Sequence, residues 1–224
     1  MTPIAAPPHR VLFLPGASGD PLFWQGVGQL LPPEWEKRFL AWPGLGSQPA
    51  DDRIAAFADL VDQAAADLDA PSVIVAQSMG GIVALELALR FPERVTHLVL
   101  AATSGGLDIA RFGAADWRAD FLQSFPGTAR WILEEKPDLS ARLAEIAMPI
   151  LLLWGDADPI SPPAVGCHLA TLIHSARLEI LPGADHGFAK AMPDEVAERL
   201  LRFLEEPRTV DPFLFQTLGV RNSS

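Results

Sequence analysis

Short aliphatic runs alternate along the chain with segments whose apolar positions recur every three or four residues. That rhythm predicts a parallel sheet covered by helices. Val11 to Leu14 reads as a buried strand that stops at Pro15-Gly16. Pro21 then opens a helix with Trp24, Val27 and Leu31 on one face. Arg38 to Trp42 reads as the next strand, broken by Pro43-Gly44. Asp51 or Asp52 is placed to cap a helix whose apolar positions are Ile54, Phe57, Val61, Ala64 and Leu68. Ser72 to Ala76 reads as a central strand, followed by an almost wholly apolar helix from Met79 to about Phe91 that must be buried. Val95 to Leu100 and Ile150 to Trp154 show little alternation, as strands covered on both faces do. Arg177 to Leu181 reads as the last strand, and Pro193 starts a closing helix with Val196, Leu200 and Phe203 inward.

Thr103 to Met148 breaks this rhythm. The stretch is rich in Trp, Phe, Ala and Asp and fits no strand, so a helical insertion over the sheet is expected there. Residues 1–102 and 149–204 would then form one core, 103–148 a helical cap, and 205–224 a tail partly ordered by Phe213 and Phe215.

Composition narrows the range of partners. A length of 224 residues suits one domain with a sizeable core. The formal charge of −11 opposes phosphate backbones and anionic lipid, so neither nucleic acid nor a membrane is expected as partner. Cys167 is the only cysteine, which rules out an internal disulfide, and its sequence neighbourhood suggests inert burial. The first residues lack a basic region followed by a long apolar run, and no apolar stretch approaches ~18 residues. A cytoplasmic protein acting on a small molecule is expected, with homo-oligomerisation left open. No metal-ligand spacing or phosphate-binding loop is present, and Gly16-Ala17-Ser18-Gly19 fails the dinucleotide pattern, so no cofactor is expected.

The chemistry centres on Val73-Ile74-Val75-Ala76-Gln77-Ser78-Met79-Gly80-Gly81, a strand entering a helix through a tight turn. A serine hydroxyl is a poor nucleophile until a base takes its proton. A sharp strand-to-helix turn would project it above the sheet, and needs small neighbours such as Ala76 and Gly80. The following helix aims free backbone N–H groups at any oxyanion formed there. The plain alternative is a serine that caps a buried helix.

This segment resembles the nucleophile elbow of the α/β-hydrolase family, with Ala76 in place of the usual first glycine. Leu12-Phe13-Leu14-Pro15-Gly16-Ala17-Ser18-Gly19 resembles the family's oxyanion loop, with Pro15 where a histidine often sits. The resemblance assigns the oxyanion donors to the N–H groups of Ala17 and Met79. It also implies altered anchoring of the loop, because that histidine mostly organises it. Leu151 to Ile160 carries two carboxylates; the resemblance assigns the triad acid to Asp158, while Asp156 reads as a binder of loop backbone. Asp185-His186-Gly187 resembles the histidine loop, making His186 the base. His9, His97, His168 and His174 keep structural readings. The order Ser78, Asp158, His186 is the family's chain order.

The resemblance spans roughly Arg10 to Leu204 and implies an α/β-hydrolase fold. With only about ten residues before the first strand, a trimmed, mostly parallel sheet of about six strands with a small cap is expected. It further implies two-step acyl transfer, with a small or medium carboxylic ester as the default substrate. A serine nucleophile disfavours the aspartate-dependent epoxide hydrolases and haloalkane dehalogenases. Thioester and carbon–carbon hydrolysis stay open, as do a triad-containing lyase or synthase and a non-catalytic ligand receptor. Leu107, Phe112, Trp117, Phe121, Phe125, Trp131 and Leu133 are the candidate cap residues, either roofing a pocket or packing on the sheet.

Overall fold

The computed structural model describes residues 10–135 and 137–206. Six strands, β1 (Arg10–Leu14), β2 (Glu36–Phe39), β3 (Ser72–Gln77), β4 (Val95–Ala101), β5 (Ile150–Gly155) and β6 (Ala176–Leu181), form one sheet. Their order is β2-β1-β3-β4-β5-β6, and every pairing is parallel. The chain steps outward from β1 to β2, then returns to place β3 on the other side of β1. The carboxyl ends of β1 and β3 therefore flank the point where strand order reverses, which is where open α/β sheets bind ligands.

Both faces of the sheet are covered, which explains the near-continuous apolar strands. Alternate residues divide between two cores. Leu12, Leu14, Ile74, Ala76, Leu152 and Trp154 pack with α2 (Phe57–Asp67), α3 (Met79–Arg90) and α6 (Pro163–Leu172). Val11, Phe13, Val73, Val75, Leu151 and Leu153 pack with α1 (Gln25–Leu30), α7 (Phe188–Ala191) and α8 (Pro193–Glu205). The inward positions expected for α8, Val196, Leu200 and Phe203, are buried, together with Ala197 and Leu204. Between β4 and β5 the described residues form short helical pieces, among them α4 (Arg118–Ser124) and α5 (Trp131–Glu134).

Four local expectations are corrected. The second strand runs over Glu36–Phe39 instead of Arg38 to Trp42. Its charged start pairs Arg10 with Glu36 and suits a sheet edge, while Trp42 is drawn into the loop after β1. The helix expected from Asp51 or Asp52 begins at Phe57, because Asp59 accepts from the backbone N–H groups of Ala55 and Ala56 at 2.8 and 2.9 Å. Asp51 instead binds Arg53, whose hydrogen bonds hold its carboxyl down at about 2. Cys167 is exposed, since α6 turns Val165 and Leu169 to the core and leaves Cys167 on the opposite side. The sequence places His97, His168 and His174 within strand or helix patterns, but His174 lies in the turn after α6. Phe213, Phe215, His9 and most of the 205–224 tail lie outside the described residues. Among the described residues, no helix is long and apolar enough to cross a membrane.

Candidate active site

β3 delivers Ser78 into α3 through a turn in which Ser78 has φ 53° and ψ −122°. A non-glycine residue rarely adopts this backbone, at a cost of about 1–3 kcal/mol, and it persists only where surrounding bonds enforce it. Those bonds are present: the Ser78 N–H donates to the Ala101 carbonyl at 2.9 Å, and the Gly81 N–H donates to the Ser78 carbonyl at 3.0 Å. Gly80 is a steric requirement of the turn. A β-carbon there would lie 2.3 Å from the Pro15 carbonyl oxygen and 2.9 Å from that of Leu14.

Ser78, Asp158 and His186 are brought together from three strand ends. The His186 Nε2 lies 3.1 Å from the Ser78 Oγ, and its Nδ1 lies 2.8 Å from the Asp158 Oδ2. With the proton on Nδ1 donated to the carboxylate, Nε2 accepts from the serine hydroxyl. The Asp158 side chain is fully buried, so its charge needs strong partners. Besides His186, its Oδ1 accepts from the N–H groups of Ile160 and Ser161 at 2.8 and 2.9 Å. Trp154 in turn donates to the Ser161 carbonyl at 2.9 Å, fixing that loop to the core.

Asp156 does different work. Its Oδ1 accepts from the Gly183 N–H at 2.6 Å, and the Asp156 N–H donates to the Leu181 carbonyl at 3.2 Å. It stitches the loop after β5 to the loop after β6, the two segments that carry Asp158 and His186. Gln77 adds a further tie, its side-chain amide donating to the His186 carbonyl at 3.3 Å.

Ser78 and His186 lie in the wall of a cleft of about 1000 Å³, together with Ala17 and Met79. Ala17 comes from the loop after β1, and Met79 is the first residue of α3, whose N–H has no preceding helical turn to bond. The segment between β4 and β5 contributes Leu107, Trp117, Phe121, Phe125 and Trp131 to the same wall. Phe121 sits between Trp117 and Phe125, with ring centroids 5.2 and 5.0 Å away. Two of the candidate cap residues, Phe112 and Leu133, lie outside the cleft wall; Phe112 packs against His168.

The charged groups of the cleft wall come mostly from the same insertion: the carboxylates of Asp108, Asp116, Asp120, Glu135 and Asp138, and the guanidinium of Arg118. Arg118 is already paired with Asp116 at 3.0 Å. Among the described residues, no group of three or more His, Cys, Asp or Glu is placed to share a metal ion.

Three contributors escaped the reading of the sequence. Trp24 and Trp42 donate their indole N–H groups to the Leu14 and Pro15 carbonyls, at 2.9 and 2.8 Å. Ala102, with φ 49°, is a second strained residue in the cleft wall, at the end of β4. The tryptophans read as core residues because periodicity reports burial and is blind to where an indole N–H points. Nothing in the local pattern marks Ala102.

A family model described as the alpha/beta hydrolase family matches residues 11–199. A pimeloyl-[acyl-carrier protein] methyl ester esterase of Neisseria meningitidis is 30% identical over 204 residues, covering 70% of this chain and 78% of the relative. A 2-hydroxy-6-oxononadienedioate/2-hydroxy-6-oxononatrienedioate hydrolase of Escherichia coli is 25% identical over 247 residues, covering 86% of this chain and 84% of the relative. Among solved structures, a thermophilic esterase from Thermogutta terrifontis superposes with a TM-score of 0.71 at 21% identity, covering 88% of this chain and 90% of the other.

Proposed function

Because the chain belongs to the alpha/beta hydrolase family, we propose that it is a serine hydrolase that cleaves small or medium carboxylic esters through an acyl-enzyme. The observation that carries the proposal is the hydrogen-bonded line from Asp158 through His186 to Ser78 at 2.8 and 3.1 Å. In the first half-reaction the Ser78 Oγ attacks the ester carbonyl while His186 Nε2 takes its proton. The oxyanion of the tetrahedral adduct is held by the N–H groups of Ala17 and Met79. Collapse breaks the bond to the alkoxy group, which leaves as the alcohol with the proton from His186. Water then attacks the acyl group, giving its proton to His186. The carboxylic acid departs, and the proton returns to Ser78.

The cleft wall supports an uncharged acyl group. Trp117, Phe121, Phe125 and Trp131 offer apolar surface, and the carboxylates beside them repel an anionic substrate. Among the described residues of the wall, the Arg118 guanidinium is already paired with Asp116. That pattern favours simple ester hydrolysis over the dicarboxylate that names the Escherichia coli relative.

A panel of p-nitrophenyl esters from acetate to decanoate, run with wild type and Ser78→Ala, tests the reading. The wild type should turn over at least one ester, and the variant should lose about 10⁴-fold or more of kcat while melting at the same temperature. Turnover that survives in Ser78→Ala would remove Ser78 as nucleophile. No turnover by wild type, with Ser78 unreactive to a fluorophosphonate, would favour a ligand-binding or lyase role.

A further inference from the structure

We propose that Trp42, assisted by Trp24, is a positioning residue that sets the oxyanion hole; this rests on the acyl-transfer reading above. The argument begins with Pro15. A proline has no N–H, so this residue contributes only a carbonyl to the backbone network. That carbonyl is buried and accepts the indole N–H of Trp42 at 2.8 Å. The carbonyl immediately before it, on Leu14, accepts the indole N–H of Trp24 at 2.9 Å. Both tryptophans are completely buried, and they belong to segments that follow different strands.

These two carbonyls also form the contact with the other half of the hole. They are the groups that a β-carbon on Gly80 would strike, at 2.3 Å for Pro15 and 2.9 Å for Leu14. Gly80 follows Met79 directly, so the spacing between the Ala17 and Met79 N–H groups depends on where the Leu14 and Pro15 carbonyls rest.

Trp42 grips the far side of the loop as well. Its backbone N–H donates to the Gly19 carbonyl at 3.2 Å, and Gly19 donates back across the turn to the Gly16 carbonyl at 3.0 Å. Gly19 has φ 66°, and a β-carbon there would lie 2.8 Å from the Trp42 carbonyl oxygen. Ala17 is therefore bracketed by two contacts from one residue, at Pro15 before it and at Gly19 after it. An oxyanion donor must stay within about 0.5 Å of its productive place, and one donor is worth about 10²–10³ in kcat. Losing the Trp42 N–H leaves the Pro15 carbonyl unpaired in the core and frees the loop to move away from Gly80.

The test compares wild type with Trp42→Phe, which keeps an aromatic ring and removes the N–H. Two readouts are taken: kcat and KM on the best p-nitrophenyl ester, and the rate at which a fluorophosphonate modifies Ser78, followed by intact mass. In that modification the Ser78 Oγ bonds to phosphorus, fluoride leaves, and the serine proton passes to His186, so the same hole is used without turnover. Trp42→Phe should lower kcat about 10- to 100-fold with KM within about threefold, and should slow modification by a similar factor. Trp24→Phe should act in the same direction. Val61→Ala, a core truncation in α2, should lower the melting temperature with kcat unchanged.

Unchanged kcat and modification rate in Trp42→Phe would overturn the inference while leaving the hydrolase reading in place. So would an equal loss of kcat in Val61→Ala. If Trp42→Phe fails to fold, benzothienylalanine at position 42 keeps the bicyclic shape, removes only the N–H, and is read the same way. A wild type that neither turns over an ester nor reacts with the probe would remove the acyl-transfer reading, and this inference with it.

Discussion

β3 and the insertion between β4 and β5 handle their apolar residues in opposite ways. All six residues of β3 are buried, and its neighbours on both sides hold it in register. In the insertion, α4 buries none of its seven residues and α5 buries only Ile132. Phe121 of α4 and the flanking Trp117 and Phe125 lie partly open in the cleft wall. Ser78 follows β3 directly, and the loops after β1, β5 and β6 hold Ala17, Asp158 and His186. Ser78 and Asp158 thus stand at the ends of two fully buried strands, β3 and β5, with His186 after the edge strand β6. The aromatic part of the cleft wall stands instead on short helices with few buried residues. Precise chemistry needs rigid supports, and a pocket wall does not. Changes at strand ends should therefore alter the rate of reaction, and changes in the insertion should alter which substrate is preferred.

The sharpest way to break that comparison is at the two carboxylates after β5. Asp158→Asn should lower kcat about 10³- to 10⁴-fold, because an amide cannot hold His186 with Nδ1 protonated and stabilise its cation. Asp156→Asn, two residues away, should cost less than about tenfold, since an amide oxygen can still accept from Gly183. Steady-state kinetics on one ester separates them; equal losses would mean that the stitch between the two loops matters as much as the acid itself.

A smaller effect is expected in the insertion. Phe121→Ala should shift the preferred acyl chain length and change kcat/KM by about tenfold on the most affected ester, with kcat on the shortest ester kept. A uniform fall in kcat across the ester panel would show that the wall also supports the triad. The smallest effect concerns charge. An ester with a free carboxylate at its far end should show a kcat/KM several-fold below its neutral methyl ester at low salt. The gap should close as salt is raised, because exposed charges are screened over about 10 Å at 0.1 M. A gap that is absent, or that survives high salt, would remove the cleft carboxylates as its cause.

The sequence by itself determined the order of the strands and the two-sided burial of the sheet, and it nominated Ser78, Asp158 and His186 as the groups to look for. Those features are local: aliphatic runs report burial, and the turn around Ser78 needs Gly80 within two residues. Its error at the second strand came where a distant partner decides the outcome. Phe39 to Trp42 looks as apolar as a strand, yet the indole of Trp42 is taken by the Pro15 carbonyl and the ladder ends earlier. At Asp51 a nearby partner decided: its carboxylate is held by Arg53 two residues on, and Asp59 takes the backbone N–H groups of Ala55 and Ala56.

Only the tertiary structure decided how the parts meet. It separated Asp158 from Asp156 by direction, one toward His186 and one toward Gly183. It also revealed that two indoles from separate segments hold consecutive carbonyls beside Gly80. Hydrophobic period records which residues leave water. The aim of a polar atom at the edge of a buried ring is set by whichever backbone group packing brings within 3 Å, and no local pattern encodes that.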